Sequence, residues 1–271
     1  MTCSRIASAS ALLALISAPA AAAPLSPSGK WVVNFDDAQC IASRNYGVGK
    51  KMLALVLKPS PLGDITQLSV VRSRSFGYTE QTAAKLTIDA LPPIPASLLG
   101  FTVTQSKLRV DSVILSKASF AQLRGGHSLR IAAPMELIET FALSGMEGVT
   151  KALDTCVADL QRVWNIDAAG LAKVKQGPQA TVPLVTLFDS DDYPIEALRS
   201  GTGGSTRFAI LVDEKGAIGD CMVTESSGVA VLDAQSCAVV KERAKFAPGI
   251  GVDGATMKSG FLQTVLWKPS R

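Results

Sequence analysis

Few side chains in this 271-residue chain have the types and spacing that catalysis requires. The single histidine, His127, precedes Ser128, and a base beside a hydroxyl could serve nucleophilic catalysis. Neighbouring residues on a strand point to opposite faces, however, so this pair favours a turn or surface histidine. The acidic runs at Asp36-Asp37 and at Asp189 to Asp192 could suggest calcium or acid-base chemistry. They lack the spacing of a calcium loop, which favours solvated turns.

A glycine-rich stretch and the scarcity of metal-binding residues complete the search for chemistry. Gly201-Thr202-Gly203-Gly204 has the glycines of a phosphate-binding loop, but no Gly-Lys-Ser/Thr follows, which favours a flexible lead into the next strand. A single histidine and the absence of C-x-x-C spacing argue against a metal site. We therefore expect no catalytic residues, no metal and no cofactor, and we predict that the protein is not an enzyme.

Residues 1–23 predict a signal peptide. Arg5 precedes an apolar run, and the segment ends in small residues of the A-x-A type, with cleavage expected near Ala22 or Ala23. A retained inner-membrane anchor is the alternative, although the apolar run is short beside the roughly 20 residues of a spanning helix. The expected location is therefore the periplasm.

Cysteine usage agrees with an oxidising compartment. Of the five cysteines, Cys3 would leave with the signal peptide, and the four that remain are Cys40, Cys156, Cys221 and Cys237. An even number in an exported protein predicts two disulfides, but four cysteines allow three pairings. Domain organisation favours Cys221 with Cys237, between a strand and the helix that packs across it, and Cys40 with Cys156.

Length and composition bound the architecture. With 47% hydrophobic and 18% charged residues, the chain is expected to fold, and it is long enough for two modest domains. The net charge of +4 is only mildly basic, without a long Lys/Arg run or an aromatic stripe interleaved with basic residues. Nucleic acid is therefore not an expected partner.

Residues 24–166 are predicted to form a mainly antiparallel β domain with a terminal helix. Short strand-forming runs alternate with Pro, Gly and Ser clusters, which is typical of a sandwich or barrel. The predicted strands are Trp31–Phe35, a second that follows the turn Asp36–Cys40, Met52–Leu57, Thr66–Arg72, Lys85–Ile88, Lys107–Val113 and His127–Ile131. Apolar residues at helical spacing between Met146 and Trp164 predict the helix, with Cys156 on its apolar face.

A linker is predicted over residues 167–192, and residues 193–271 predict the order strand, strand, helix, strand. The predicted elements are a strand over Thr206–Val212, a turn over Asp213–Gly216, a strand over Ala217–Thr224, a helix over Val231–Arg243 and a strand over Gly260–Trp267. In the last strand Phe261, Val265 and Trp267 share one face, expected to point to the core. The predicted fold class is α+β.

The ordered set of motifs in the last third resembles the C-terminal domain of TonB, the energy transducer that contacts outer-membrane receptors. The matching positions are Tyr193-Pro194 with Ala197, Gly204, Val212-Asp213 with Gly216, Ser226-Ser227-Gly228, Leu232-Asp233, Phe246-Ala247-Pro248, and Val265 with Trp267. Each motif alone is common, and their order carries the resemblance. It implies a small β-β-α-β domain.

The resemblance also implies a non-enzymatic protein that recognises an extended peptide by strand addition. In that family the last strand offers a free edge to a short segment of a receptor. The corresponding residues here are Gly260, Phe261, Leu262, Gln263, Thr264, Val265, Leu266 and Trp267. The expected partner is a TonB-dependent outer-membrane receptor or another cell-envelope protein, in support of transmembrane transport, and a homo-oligomer is left open.

Several alternatives remain open at this stage. The last strand could be an ordinary packed strand whose edge the first domain covers. A retained anchor would make the protein an atypical, membrane-bound energy transducer, although its 14 scattered prolines form no rigid spacer. A ligand pocket in the first domain would make it a small-molecule sensor or carrier.

The first domain carries a second set of motif residues, namely Trp31, Asp36-Asp37, Cys40, Phe141, Leu143, Gly145, Ala152-Leu153 and Cys156. In these positions it resembles the invasion-associated locus B family of exported bacterial proteins. The resemblance implies no activity.

Overall fold

Strand-forming runs in the first half of the chain assemble into one antiparallel sheet. The structure, a computed structural model, describes residues 23–36, 39–74, 80–103 and 107–269. Residues 1–22 of the predicted signal peptide, and Asp37 of the first acidic pair, lie outside the described residues. Within the described ranges, no helix combines the length and the hydropathy needed to cross a membrane.

Nine strands and two helices make up the N-terminal region. The strands are β1 (Val32–Phe35), β2 (Cys40–Tyr46), β3 (Leu53–Pro59), β4 (Ile65–Ser73), β5 (Glu80–Ile88), β6 (Ile94–Val103), β7 (Leu108–Ser116), β8 (Ser128–Ala133) and β9 (Leu137–Ala142). The helices are α1 (Lys117–Arg124) and α2 (Met146–Val163), and Gly49–Lys51 forms a 3-10 turn. The sheet has the order β1-β2-β3-β4-β7-β6-β5-β8-β9, with every neighbouring pair antiparallel.

The chain before β1 joins the two ends of this sheet. On one side, the Leu25 amide donates to the Thr140 carbonyl at 2.7 Å, and the Ala142 amide donates to the Leu25 carbonyl at 3.0 Å, both on β9. On the other side, the Ser28 amide donates to the Asn45 carbonyl of β2 at 2.9 Å. The sheet therefore curls into a barrel-like layer closed by residues 25–28.

Helix α2 fills the concave side of the curled sheet. Val149, Leu153, Cys156 and Leu160 follow one another at steps of three and four residues, and all four are buried in the main core cluster. Cys156 forms a disulfide with Cys40 on β2. The predicted terminal helix and its apolar Cys156 are thus confirmed, and so is this disulfide.

Three elements of the N-terminal region, β6, β9 and α1, were not predicted. Strand β6 contains Pro95, although proline is disfavoured inside a sheet. At that end β6 pairs only with β5, because its pairing with β7 begins at Leu99, so the missing proline N–H leaves no gap in a second ladder. Ser116 caps the N-terminus of helix α1, because its hydroxyl accepts the Ser119 amide at 3.1 Å. This cap was not used in predicting the helices.

The C-terminal region contains a smaller sheet with one long helix. Its elements are α3 (Ala168–Leu171), β10 (Val174–Gln176), β11 (Gln179–Ala180), α4 (Ile195–Arg199), β12 (Gly204–Val212), β13 (Ile218–Glu225), α5 (Ala230–Arg243), β14 (Phe246–Ala247), β15 (Gly249–Gly251), β16 (Thr256–Met257) and β17 (Ser259–Trp267), with 3-10 turns at Leu184–Leu187 and Ser190–Asp192. The main sheet has the order β13-β12-β17, and β10-β15-β16 and β11-β14 form small ladders. The α+β class and the β-β-α-β order are confirmed.

Helix α5 packs on one face of the β13-β12-β17 sheet. Leu232 and Val240 of the helix are buried together with Phe208 and Ile210 of β12. The hairpin turn after β12 requires Gly216, which has a φ of +85°, and a Cβ there would lie 2.1 Å from the Phe246 carbonyl oxygen. Both the hairpin and the helix were predicted from the sequence.

A second disulfide joins helix to sheet in this region. Cys221 on β13 is bonded to Cys237 on α5, with Cα atoms 5.8 Å apart. This confirms the favoured pairing of the four cysteines. The predicted linker over residues 167–192 contributes β10 and β11, and its Leu184 is buried in the core beneath α5.

Candidate functional site

Strand β17 is the edge of the C-terminal sheet and contains every residue of the predicted peptide-binding strand. It pairs with β12 over nine consecutive positions, from Ser259 opposite Val212 to Trp267 opposite Gly204. Among the described residues, no strand pairs with its other side. A regular ladder with one unpaired side presents backbone N–H and C=O groups to a partner.

The alternation of the antiparallel ladder identifies which residues of β17 point to the open side. The Arg207 carbonyl of β12 accepts the Thr224 hydroxyl of β13 at 3.3 Å, so Arg207 directs its backbone groups away from β17. Thr264 lies opposite Arg207 and therefore points to the open side, as does every second residue from it. These residues are Gly260, Leu262, Thr264 and Leu266.

A side chain of β17 already contacts this open side. The side-chain amide of Gln263 donates through Nε2 to the Thr264 carbonyl at 2.9 Å. This bond is local and exposed, so a partner strand can replace it with a backbone donor at little net cost.

The helix-facing side of β17 is anchored in the core. Val265 and Trp267 are buried, and the Trp267 indole donates to the Ser236 hydroxyl of α5 at 2.9 Å. The rings of Phe188 and Tyr193 each lie 5.5 Å from the Trp267 ring in edge-to-face geometry. Phe261 is half-buried on the same face, while Leu266, on the opposite face, is 59% exposed.

The N-terminal region contacts β17 on the face that points away from α5, at the first residues of the strand. A Cβ at Gly260 would lie 2.4 Å from a methyl carbon of Leu62, which is buried in the turn between β3 and β4. Leu262 packs against the same small cluster, which also contains Leu211 and Ile166. The first domain thus contacts the face of the first part of β17, and Thr264 to Trp267 lie beyond this contact.

Two polar contacts accompany this cover. Lys58 Nζ lies 3.0 Å from Glu225 Oε2 of β13, and the Arg207 guanidinium donates to the Gln67 side-chain oxygen at 2.6 Å. Burial lowers the pKa of Lys58, and the carboxylate of Glu225 opposes that shift. The two sheets therefore meet through a small apolar contact flanked by charged side chains.

The Ser226-Ser227-Gly228 motif and Asp233 form one clamp between β13 and α5. Asp233 Oδ1 accepts the Thr206 hydroxyl and the Ser227 amide, each at 2.8 Å, and Oδ2 accepts the Ser226 hydroxyl. Burial alone would raise the pKa of Asp233, but these hydrogen bonds outweigh it and hold the pKa below its usual value. The motif therefore has a structural role next to the edge sheet.

The acidic run at Asp189 to Asp192 is also structural. Asp192 is buried and binds Arg243 of α5 through two hydrogen bonds of 2.7 and 2.8 Å. Asp189 caps the 3-10 turn by accepting the Asp191 and Asp192 amides. The expectation of a solvated turn is therefore wrong for Asp192, because the distant Arg243 supplies a partner that the local sequence does not reveal.

His127 lies on the surface, with 89% of its side chain exposed. Asp89 accepts the backbone amides of His127 and Ser128 and the Ser128 hydroxyl, so these residues form a turn into β8. In the described ranges no group of three or more His, Cys, Asp or Glu residues is placed to hold a metal ion.

A buried ionic cluster in the N-terminal barrel was missed by the sequence analysis. Arg109, with no exposed side-chain area, binds Asp111 Oδ1 and Glu136 Oε2, each at 3.0 Å, and Arg72 lies 2.8 Å from Asp111 Oδ2. Gly100 leaves room for the Arg109 side chain, because a Cβ at Gly100 would lie 2.2 Å from the guanidinium. Arg109 and Asp111 are two apart on a strand and share one face, which is the signal that could have indicated the cluster.

Comparison with known proteins covers the C-terminal region alone. Residues 190–268 match the family model of the Gram-negative bacterial TonB protein C-terminal. The match runs from the 3-10 turn at Ser190–Asp192 through α5 to the end of β17, and it confirms the resemblance in the last third of the chain. No curated protein matches the chain. The resemblance of the first domain to the invasion-associated locus B family stays a prediction.

Proposed function

We propose, from the premise that residues 190–268 are similar to the C-terminal domain of TonB, that this protein is a non-enzymatic cell-envelope protein that binds an extended peptide along β17. The partner would be a segment of an outer-membrane receptor or of another envelope protein. The open ladder edge of β17 is the observation that carries the proposal, because Leu262, Thr264 and Leu266 direct backbone donors and acceptors to a side with no strand in the described structure.

The size of this edge sets the expected affinity. Three residues offer six backbone groups, and each hydrogen bond contributes about 0.5–1.5 kcal/mol net. A partner must also order its own backbone at about 1–2 kcal/mol per residue. Backbone pairing alone therefore supports weak, reversible binding, and side-chain contacts must supply the rest of the affinity.

The two disulfides support a periplasmic location, because such bonds persist in oxidising compartments. Export by cleavage of residues 1–23 remains our expectation. An anchored energy transducer would use the same strand edge and would differ in the fate of that segment.

Crosslinking in living cells tests the proposal. A photoreactive phenylalanine analogue at Leu266 on the open part of β17 is expected to form a covalent adduct with one envelope protein, at an extended stretch of its sequence. Ile138 on β9 is a matched control position, with 54% exposure against 59% for Leu266. Adducts of equal yield at both positions would contradict the proposal.

Thr264→Pro should abolish the Leu266 adduct. The substitution removes an N–H that points to the open side and leaves the hydrogen bonds to β12 in place. Thr264→Ala keeps the backbone donor and should keep the adduct. Circular dichroism of both variants checks that the fold is unchanged.

A further inference from the structure

A groove lies beside the open edge of β17. Its volume is about 370 Å³, and its walls include Val182, Pro183 and Val185 on one side and Phe261 and Gln263 of β17 on the other. None of its lining residues comes from β12, β13 or α5, so the groove lies on the unpaired side of β17. Residues 180–185 precede the matched range 190–268, so this wall lies outside the part of the chain that matches the TonB family.

The wall is held in place at three points. The Thr181 amide donates to the Lys245 carbonyl at 2.9 Å, Leu184 is buried in the core, and the Arg243 guanidinium donates to the Leu187 carbonyl at 2.8 Å. Between these points Val182 and Val185 remain 44% and 69% exposed. A fixed wall with exposed apolar side chains is suited to receive a ligand without reorganising.

Strand geometry connects the groove to the open edge. The side chains of Phe261 and Gln263 point to the α5 face of the sheet. The alternate residues Gly260, Leu262 and Thr264 direct their backbone N–H and C=O groups to the unpaired side of β17. In a strand added to β17, every second side chain points to that same face. Side chains opposite Phe261 and Gln263 would then enter the groove, because directly opposite Cβ atoms lie roughly 5 Å apart.

We propose that this groove is a specificity pocket for an apolar side chain of the Val, Ile or Leu class on the added peptide. The proposal rests on the proposed function and adds the chemistry of its partner. Among the described residues, none of those that line the groove is charged. An acidic or basic side chain there would therefore lose water without gaining a partner, whereas an apolar one would bury its surface.

Selection from a random heptapeptide phage library on the oxidised whole chain tests the proposal. The selected peptides should carry Val, Ile or Leu at alternate positions. Val185→Glu should weaken the binding of a selected peptide about tenfold or more, because the introduced carboxylate would lose water against an apolar side chain without gaining a partner. Val252→Glu is the matched control, since Val252 is 71% exposed, does not line the groove, and should leave binding unchanged.

The outcomes separate this proposal from the one on which it rests. If Thr264→Pro abolishes binding while Val185→Glu changes neither affinity nor the selected residues, the pocket is overturned and strand addition stands. If no heptapeptide binds the wild-type chain, both proposals fail. In that case a dimer in analytical ultracentrifugation that Thr264→Pro abolishes would identify a second copy as the occupant of the edge.

Discussion

The two sheets of the molecule treat their edges differently. In the N-terminal sheet, β9 is capped by hydrogen bonds to Leu25, and β1 at the other end is only four residues long. In the C-terminal sheet, β17 extends for nine residues with an unpaired side in the described structure. Exposed edges invite pairing with other chains and are usually blocked, so the open edge of β17 is the surface on which the proposed strand addition would occur.

The same contrast exists inside the C-terminal sheet. Strand β13, its other edge, pairs with β12 through two register shifts and is tied to α5 by Cys221–Cys237. The ladder between β12 and β17 has no register shift. Irregular pairing twists an edge and discourages strand addition, so the two edges of one small sheet are not equivalent.

The largest loss of stability is expected from removing the disulfides, one in the closed barrel and one in the open sheet. Replacing Cys40 and Cys156 by alanine should lower the free energy of unfolding by about 5 kcal/mol, and replacing Cys221 and Cys237 by about 3 kcal/mol, because the longer loop loses more entropy. The sequence separations are 116 and 16 residues. Urea unfolding of both double variants measures this difference, and a larger loss for the shorter loop would contradict the explanation.

The next largest loss of stability is expected when the clamp between β13 and α5 is broken. Asp233→Ala should lower the free energy of unfolding by about 3 kcal/mol. The Thr206 and Ser226 hydroxyls and the Ser227 amide would lose a buried charged acceptor. Asp191→Ala is the control, since Asp191 is exposed on a turn in the same region. Thermal unfolding of both variants should show a large shift for the first and little for the second.

The stabilising effect of Asp233 should depend on pH. Its pKa is lowered in the folded state, so its contribution is present above the pKa of the unfolded chain and disappears as the pH falls through the folded value. Urea midpoints measured from pH 7 to pH 3 should fall more steeply for the wild type than for Asp233→Asn. Parallel curves would show that the carboxylate is not stabilised by its donors.

A smaller effect distinguishes the covered part of β17 from its open part. Gly260→Ala should destabilise the protein by about 1–3 kcal/mol, because its methyl group would overlap Leu62. Leu62→Ala should remove most of this additional cost in the double variant. Thr264→Ala, on the open part, should change the free energy of unfolding by less than about 0.5 kcal/mol.

The ion pair between the two sheets should have the smallest effect. A double-mutant cycle of Lys58→Ala and Glu225→Ala should give a coupling of about 0.5 kcal/mol, because Glu225 is 47% exposed to solvent. The coupling should shrink in 1 M salt, in keeping with a Debye length of about 3 Å. A salt-independent coupling would show that the pair is more buried than its exposure indicates.

Local signals explain why the C-terminal sheet could be predicted from the sequence. Its hairpin is encoded by alternation and Gly216, its helix by one apolar stripe, and its disulfide is the one that domain organisation favoured among the three possible pairings. The open strand itself was identified by resemblance. Its outward-facing residues follow from the period of two once β12 is known to be its neighbour.

The remaining features depend on contacts between distant residues. The closure by Leu25, the order of nine strands and the pair of Asp192 with Arg243 join positions that no local pattern connects. The groove wall at Val182 and Val185 belongs to an irregular segment, and irregular chain has no periodicity from which to infer a face.

The long disulfide has a mechanical consequence. Tension between the residues before Cys40 and the domain after Cys156 passes along the covalent chain directly from one sulfur to the other. The chain between the two cysteines, which are 116 positions apart and enclose β3 to β9, lies outside that path and bears no load. A pull on the C-terminal sheet would therefore load β1 and the closing residues 25–28, while β3 to β9 would be shielded by the disulfide.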